Sequence, residues 1–177
     1  MKLVAVLGVV GALSACAPLP AEITLQNSFN PADYAWADQV GSNTVSGSAL
    51  LRTVGGEVRT CGALPVSLIP DVPYTRERMI ALYGNAAGGY RAFNAGPPGG
   101  VIFINEPFEF SRVGRRTACD ASGNFRFAQI PDGSYFVVAE VSWGVPYGSY
   151  LSPQGGRLMQ RVEVKGGDAP ELLLTAN

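Results

Sequence analysis

Glycine and proline interrupt this chain wherever a long regular element would otherwise form, with 22 glycines and 13 prolines among 177 residues. Proline fixes φ and removes an amide donor, and glycine opens turn conformations closed to other residues. A chain so punctuated favours short strands joined by turns over long helices. Between the interruptions apolar residues alternate. Tyr135, Val137, Ala139, Val141 and Trp143 fall on one face of a strand, which must then lie against a core. The length suffices for one domain with a sizeable interior.

Further strands are expected at Val45–Val54 and Glu57–Cys61, joined through Gly55 and Gly56 as a two-residue hairpin. Val66–Ile69 follows, bounded by Pro65 and Pro70. Thr75 reads as the N-cap of a short helix, with Met79, Leu82 and Tyr83 on one face and Gly84 as its stop. Gly84–Gly100 carries six glycines and two prolines, and is expected to be a long surface loop displaying Tyr90, Arg91 and Phe93. Strands resume at Val101–Ile104, Phe108–Val113, Arg115–Cys119, Arg157–Lys165 and Glu171–Thr175, the last two around Gly166, Gly167 and Asp168. The turn Pro131–Asp132–Gly133 joins two further strands tightly. Regularly spaced short strands imply an all-β antiparallel sandwich with one short inserted helix.

The run Asp120, Gly123, Phe125, Phe127, Ile130, Pro131, Gly133 and Tyr135 resembles the carboxypeptidase regulatory-like domain, with its Gly-x-Phe, apolar-Pro-x-Gly corner and tyrosine. Val45–Ala49 with Val66–Ile69 is similar to that family's opening strands. The resemblance spans roughly Val45 to the C-terminus and implies a transthyretin-like β-sandwich of about seven strands with a non-catalytic accessory role. Residues 70–100 depart from the minimal domain by inserting the helix and the glycine-rich loop.

The N-terminus carries an address. Met1 and Lys2 precede an apolar run, Leu3–Leu13, and then Leu13, Ser14, Ala15 and Cys16 resemble a bacterial lipobox. Eleven residues span only about half of a ~30 Å hydrocarbon core, which suits a removed signal. An ordinary secretory cut after Ala15–Cys16–Ala17 would place Pro18 beside the scissile bond, so cleavage before Cys16 is preferred. The expected organisation is a signal at residues 1–15, a pedestal at 16–43 and the sandwich at 44–177. Within the pedestal, Asn30, Pro31 and Asp33 predict a helical turn over Pro31–Ala37 lying on the domain, its aromatics Phe29, Tyr34 and Trp36 alternatively docking on a partner. Lipidation at Cys16 would anchor the protein to a membrane, and the absence of aspartate at position 17 favours the outer membrane, periplasm-facing or surface-exposed.

Cys61 and Cys119 are left over, and in an oxidising compartment they should form one disulfide, with two buried free thiols as the alternative. The chain has no histidine, which removes the commonest general base and metal ligand, so no catalytic residue, metal or cofactor is expected. Glu106 and Glu109 are the nearest paired carboxylates, but nothing marks them as catalytic. Asp120, Ser122 and Asn124 mimic a calcium loop only at its opening, and a hairpin turn is the better reading. A net charge of −1 supplies no field for nucleic acid. Arg112, Arg115 and Arg116 form a local cationic cluster, read as a solvated strand end or an anion contact.

Candidate ligand-binding residues are Tyr90, Arg91 and Phe93 with Tyr147 and Tyr150, the last two flanking a Gly144–Gly148 loop. The expected partners are the membrane, through the anchor, and an envelope protein or, alternatively, a glycan or peptidoglycan. If Cys61 and Cys119 pair, thiol titration of the periplasmic protein finds neither reactive before reduction and both afterwards. Reactivity of both before reduction would overturn the pairing.

Overall fold

The computed structural model describes residues 20–95, 100–167 and 169–176; Cys16, the expected signal, Gly96–Gly99 of the expected loop and Asp168 lie outside the described residues. Two β-sheets face one another. The first contains β4 (Pro65–Pro70), β5 (Gly88–Ala92), β7 (Arg115–Ala118), β9 (Gly133–Tyr147) and β10 (Tyr150–Val164), in the order β5-β10-β9-β4-β7. The second is built on β2 (Asn43–Arg52), which pairs with β3 (Val58–Thr60), β8 (Asn124–Ile130) and β11 (Leu172–Leu174). A two-stranded ribbon, β1 (Ala21–Ile23) with β6 (Val101–Phe103), lies beside them, and one helix, α1 (Pro73–Tyr83), is inserted between β4 and β5. The all-β sandwich with a short helix is as expected. Its two sheets hold nine described strands rather than about seven, and two pairings, β1 with β6 and β11 with β2, are parallel.

β9 organises the first sheet because both of its faces are buried. Tyr135, Val137, Ala139 and Val141 point between the sheets, where they meet Val45, Leu68, Phe125, Phe127, Leu158 and Leu172, and Trp143 is half-buried against the same core. Phe136 points the other way and is fully buried with Met79 of α1 and Met159 of β10. That is why residues 135–141 read as a near-continuous apolar run. The disulfide joins Cys61, after β3, to Cys119, after β7, and so links the two sheets across a sequence separation of 58 residues. A loop of that size removes unfolded-state entropy worth about 4 kcal/mol in the chain-entropy treatment.

Several local expectations are corrected. α1 starts two residues before Thr75, because Pro73 occupies its first turn with a preset φ, and Thr75 is a fully buried interior residue bonded to the Tyr34 hydroxyl at 2.9 Å. Gly84, at φ 79°, closes the helix as expected. The β2–β3 connection is longer than Gly55–Gly56: Thr53 N donates to Glu57 O at 2.8 Å and Gly56 N to Thr53 O at 2.9 Å. The expected loop Gly84–Gly100 contains a strand, since β5 pairs with residues 156–160 of β10. Phe108–Arg112 is a 3-10 helix instead of a strand, following Pro107 and held by Phe110 N donating to Pro107 O at 3.0 Å. Residues 144–147 continue β9, and β10 begins at Tyr150, so the expected Gly144–Gly148 loop is the end of a long hairpin. The turn at Pro131–Gly133 links β8 to β9 across the two sheets.

That crossing is tied from four directions. The Asn43 side chain, 1% exposed, donates to Ile130 O at 2.7 Å and to Asp132 Oδ1 at 2.9 Å, while its own oxygen accepts from Gly167 N at 2.6 Å. Asp132 Oδ1 also accepts from Gly166 N at 3.0 Å, and the Tyr135 hydroxyl donates to Pro131 O at 2.9 Å. Trp36 lies over Gly133, where an added Cβ would sit 2.2 Å from the indole. Trp36 belongs to the 3-10 turn Pro31–Asp38, capped by Asn30 as its sequence predicts, so residues 30–38 pack on the sandwich.

α1 is fastened to the first sheet by Asp71. Its buried carboxylate accepts from Arg76 at 2.7 and 2.8 Å and from Arg161 of β10 at 2.5 Å. Burial alone would push this carboxyl up, but the two guanidiniums outweigh it and hold it below the ordinary value of 3.8. Depression of the folded-state value means that its stabilisation is complete above the unfolded value and is lost as pH falls through the folded one. We expect Asp71→Asn to cost about 2 kcal/mol at neutral pH, with the difference from wild type shrinking steadily below about pH 4. Urea unfolding across pH measures this; a pH-independent difference would contradict the assignment. Asn43→Ala, which strands the Gly167 amide, is expected to cost about 2–3 kcal/mol with an unchanged denaturant slope.

Candidate functional site

α1 and the segment 105–113 arch over the outer face of β4 and enclose a cleft of about 370 Å³. Its wall is Arg78 of α1, which forms an ion pair with Glu106. The Arg78 guanidinium lies 3.9 Å from the centre of the Phe103 ring and 4.9 Å from that of Phe110, so two aromatic faces hold it in place. Burial pulls this guanidinium below its ordinary value, and the Glu106 carboxylate opposes the shift. Phe110 in turn packs edge-on against Tyr74 and Phe29, at 5.2 and 6.1 Å between ring centres, which ties the N-terminal segment into the cleft wall. Ser67 and Ile69 of β4 form the floor, and Arg116 of β7 and Phe108 complete the rim. Phe108 is 69% exposed, an unusual position for so large an apolar ring, with Arg112 stacked 4.9 Å from its centre. An exposed aromatic ring beside a fixed guanidinium, a carboxylate and hydroxyls is the chemistry that holds a polyhydroxylated ring: apolar stacking plus planar hydrogen-bonding groups.

The residues singled out from sequence fall into two separate groups. Tyr90, Arg91 and Phe93 lie together on and just after β5. The Tyr90 hydroxyl donates to Gly155 O at 3.1 Å, and Phe93 N bonds the same carbonyl at 3.0 Å. Tyr147 and Tyr150 form a cross-strand pair at the end of the β9–β10 hairpin, 66% and 60% exposed, with ring centres 5.4 Å apart. Gly155 lies five steps along β10 from Tyr150, roughly 16 Å of strand, so the two groups do not form one pocket.

The arginine cluster is dispersed. Arg115 clamps backbone carbonyls of Gln39, Ala128 and Ala37 at 2.9, 3.2 and 3.4 Å, Arg116 bonds the Ser111 carbonyl, and Arg112 sits on Phe108. Asp120 organises a turn, its Oδ1 accepting from Ser122 N and Asn124 N at 2.9 Å. Of the two carboxylates paired on sequence grounds, Glu106 reaches the cleft and Glu109 is not among its lining residues. The participation of Arg78 and Phe108 was missed. Phe108 falls in the expected strand Phe108–Val113, and Pro107 before it is the one local sign of the turn that forms instead.

No family model matches the chain, and no curated protein does. Among solved structures it is similar to a protein from Pseudomonas aeruginosa described as a "putative carbohydrate binding protein", at TM-score 0.64 and 24% identity, over 84% of this chain and 98% of that one. The fold is shared. At that identity the likeness speaks for the sandwich and not for any residue of the cleft.

Proposed function

We propose that this chain is a non-catalytic, lipid-anchored cell-envelope protein that binds glycan, with a sugar ring held in the cleft of Arg78, Glu106 and Phe108. The observation that carries the reading is the exposed Phe108 ring beside a guanidinium fixed between two other aromatic rings. A cleft of about 370 Å³ has room for a single sugar residue and is open to a longer chain. The description of the Pseudomonas aeruginosa protein as carbohydrate binding supports the same ligand class. The lipobox-like Leu13–Cys16 supports an anchor at Cys16 in the outer membrane, and the Asp120–Tyr135 run supports kinship with carboxypeptidase regulatory-like domains.

A protein partner, the other sequence-based expectation, would use the hairpin end. Tyr147, Tyr150 and Leu151 are all more than half exposed there, and no charged residue occurs from Val141 to Gly156.

Both readings are separated by one set of variants. Co-sedimentation with peptidoglycan sacculi, and titration with soluble oligosaccharides, should show Phe108→Ala weakening glycan binding about tenfold or more while leaving the unfolding midpoint unchanged. Tyr147→Ala with Tyr150→Ala should leave it intact. Loss of glycan binding only in the tyrosine variant would move the site to the hairpin, and no glycan binding by the wild type would overturn the reading.

A further inference from the structure

The residues Arg91 and Phe93 have a position that the glycan cleft does not explain. They border a second, smaller cavity of about 220 Å³, lined by Leu82 and Tyr83 of α1, Arg91, Phe93, Val101 of β6 and Arg157 of β10. Arg91 and Arg157 are direct cross-strand partners, so two guanidiniums stand on one face of the sheet. Arg157 makes a 3.3 Å contact with Glu140, and the Arg91 side chain makes no hydrogen bond or ion pair among the described residues. Phe93 is 40% exposed at the rim. Glu22, the other nearby carboxylate, pairs in register with Ile102 and so lies on the ribbon face opposite to the one Val101 presents to the cavity.

This cavity stands where the chain enters the fold. Ala21 pairs with Val101 in the β1–β6 ribbon, and its amide donates to Gly100 O at 2.8 Å. Cys16 precedes Ala21 by five residues, which at full extension reach no further than about 18 Å. A lipid on Cys16 would therefore keep the Ala21–Val101 end of the ribbon, and the cavity that Val101 lines, within reach of the bilayer surface. We infer that the Arg91–Arg157 cavity takes the phosphate headgroup of an anionic phospholipid in the membrane that carries the anchor, with Phe93 seated at the interface. The inference rests on the proposed anchor at Cys16 but not on the glycan cleft. Its physical basis is a guanidinium without a hydrogen-bond or ion-pair partner among the described residues, a second beside it, an aromatic rim and a short tether that keeps them near the surface.

The test uses the full lipidated protein reconstituted in vesicles of phosphatidylethanolamine with phosphatidylglycerol, and separately in vesicles of phosphatidylcholine alone. Flotation reports the anchor, and phenylglyoxal labelling read by peptide mass spectrometry reports the arginines. Labelling of Arg91 should fall about fivefold or more on the anionic vesicles relative to the neutral ones, while Arg59 on β3 labels equally on both. Arg91→Glu should still float, and its Arg157 should lose protection. A wild-type chain that fails to float overturns the anchor and the docking with it. Flotation with equal Arg91 labelling on both vesicles overturns the docking alone. Equal protection by free inorganic phosphate without vesicles overturns the lipid as its source.

Discussion

The buried side chain of Asn43 is the point on which the two sheets depend. It begins β2, yet it bonds the Ile130 carbonyl and Asp132 at the crossing into β9 and receives the Gly167 amide from the connection between β10 and β11. Three separated stretches of chain thus converge on one amide group, which can donate twice and accept in the same plane. Hydrogen bonds inside a packed interior gain strength from low dielectric and from each other, and each becomes costly if a partner is removed. The Tyr135 hydroxyl and the Trp36 ring close the same corner from the other side. With the corner fixed, β9 leaves at a defined angle and register, and every strand of the first sheet is placed relative to it.

The candidate binding surfaces follow from the second face of β9. Because Phe136 points outward, something apolar must cover it, and α1 supplies Met79 for that purpose. The helix lies on the outer face of the sheet, anchored by Asp71 to Arg161, and thereby brings Arg78 over β4 at one side and Tyr83 over β5 at the other. A packing requirement in the core therefore creates two clefts flanking one helix. Neither cleft would exist in a sandwich whose outer face was polar.

The sequence was legible where the physical signal is local. Alternation along residues 135–143 marked the inward face, Pro65 and Pro70 bounded β4, and Asn30 with Pro31 marked the 3-10 turn, because pleat, missing amides and capping act within a few residues. Cys61 and Cys119 were paired by counting, and their bond is present. It was not legible where tertiary context decides. Gly88 and Gly89 have poor strand propensity but form an edge strand because β10 extends past them and offers a free edge. Phe108 and Phe110 alternate as strand residues do. Their segment curls into a 3-10 helix because Phe110 is drawn into the ring cluster of Phe29 and Tyr74. Asn43 and Arg78 carry no local signature, since their roles exist only between elements distant in sequence.

The two clefts lie at opposite sides of one sheet face, and their separation has a consequence for how the protein would work. In the order β5-β10-β9-β4-β7, three inter-strand steps lie between β5, which carries Arg91, and β4, which floors the Arg78 cleft, so roughly 14 Å separates them across the sheet. Seating the β5 edge on a bilayer would therefore turn the β4–β7 edge, with Phe108 and Arg116, away from it. With only four residues between Cys16 and Ala21, a lipid at Cys16 would favour contact of the Arg91 cavity with the bilayer without a large interface, because it replaces a bimolecular encounter with a local one at high effective concentration. In that arrangement a lipid at Cys16 would do more than retain the protein at a membrane. It would set which edge of the sandwich meets lipid and which edge is presented to the polymer beyond.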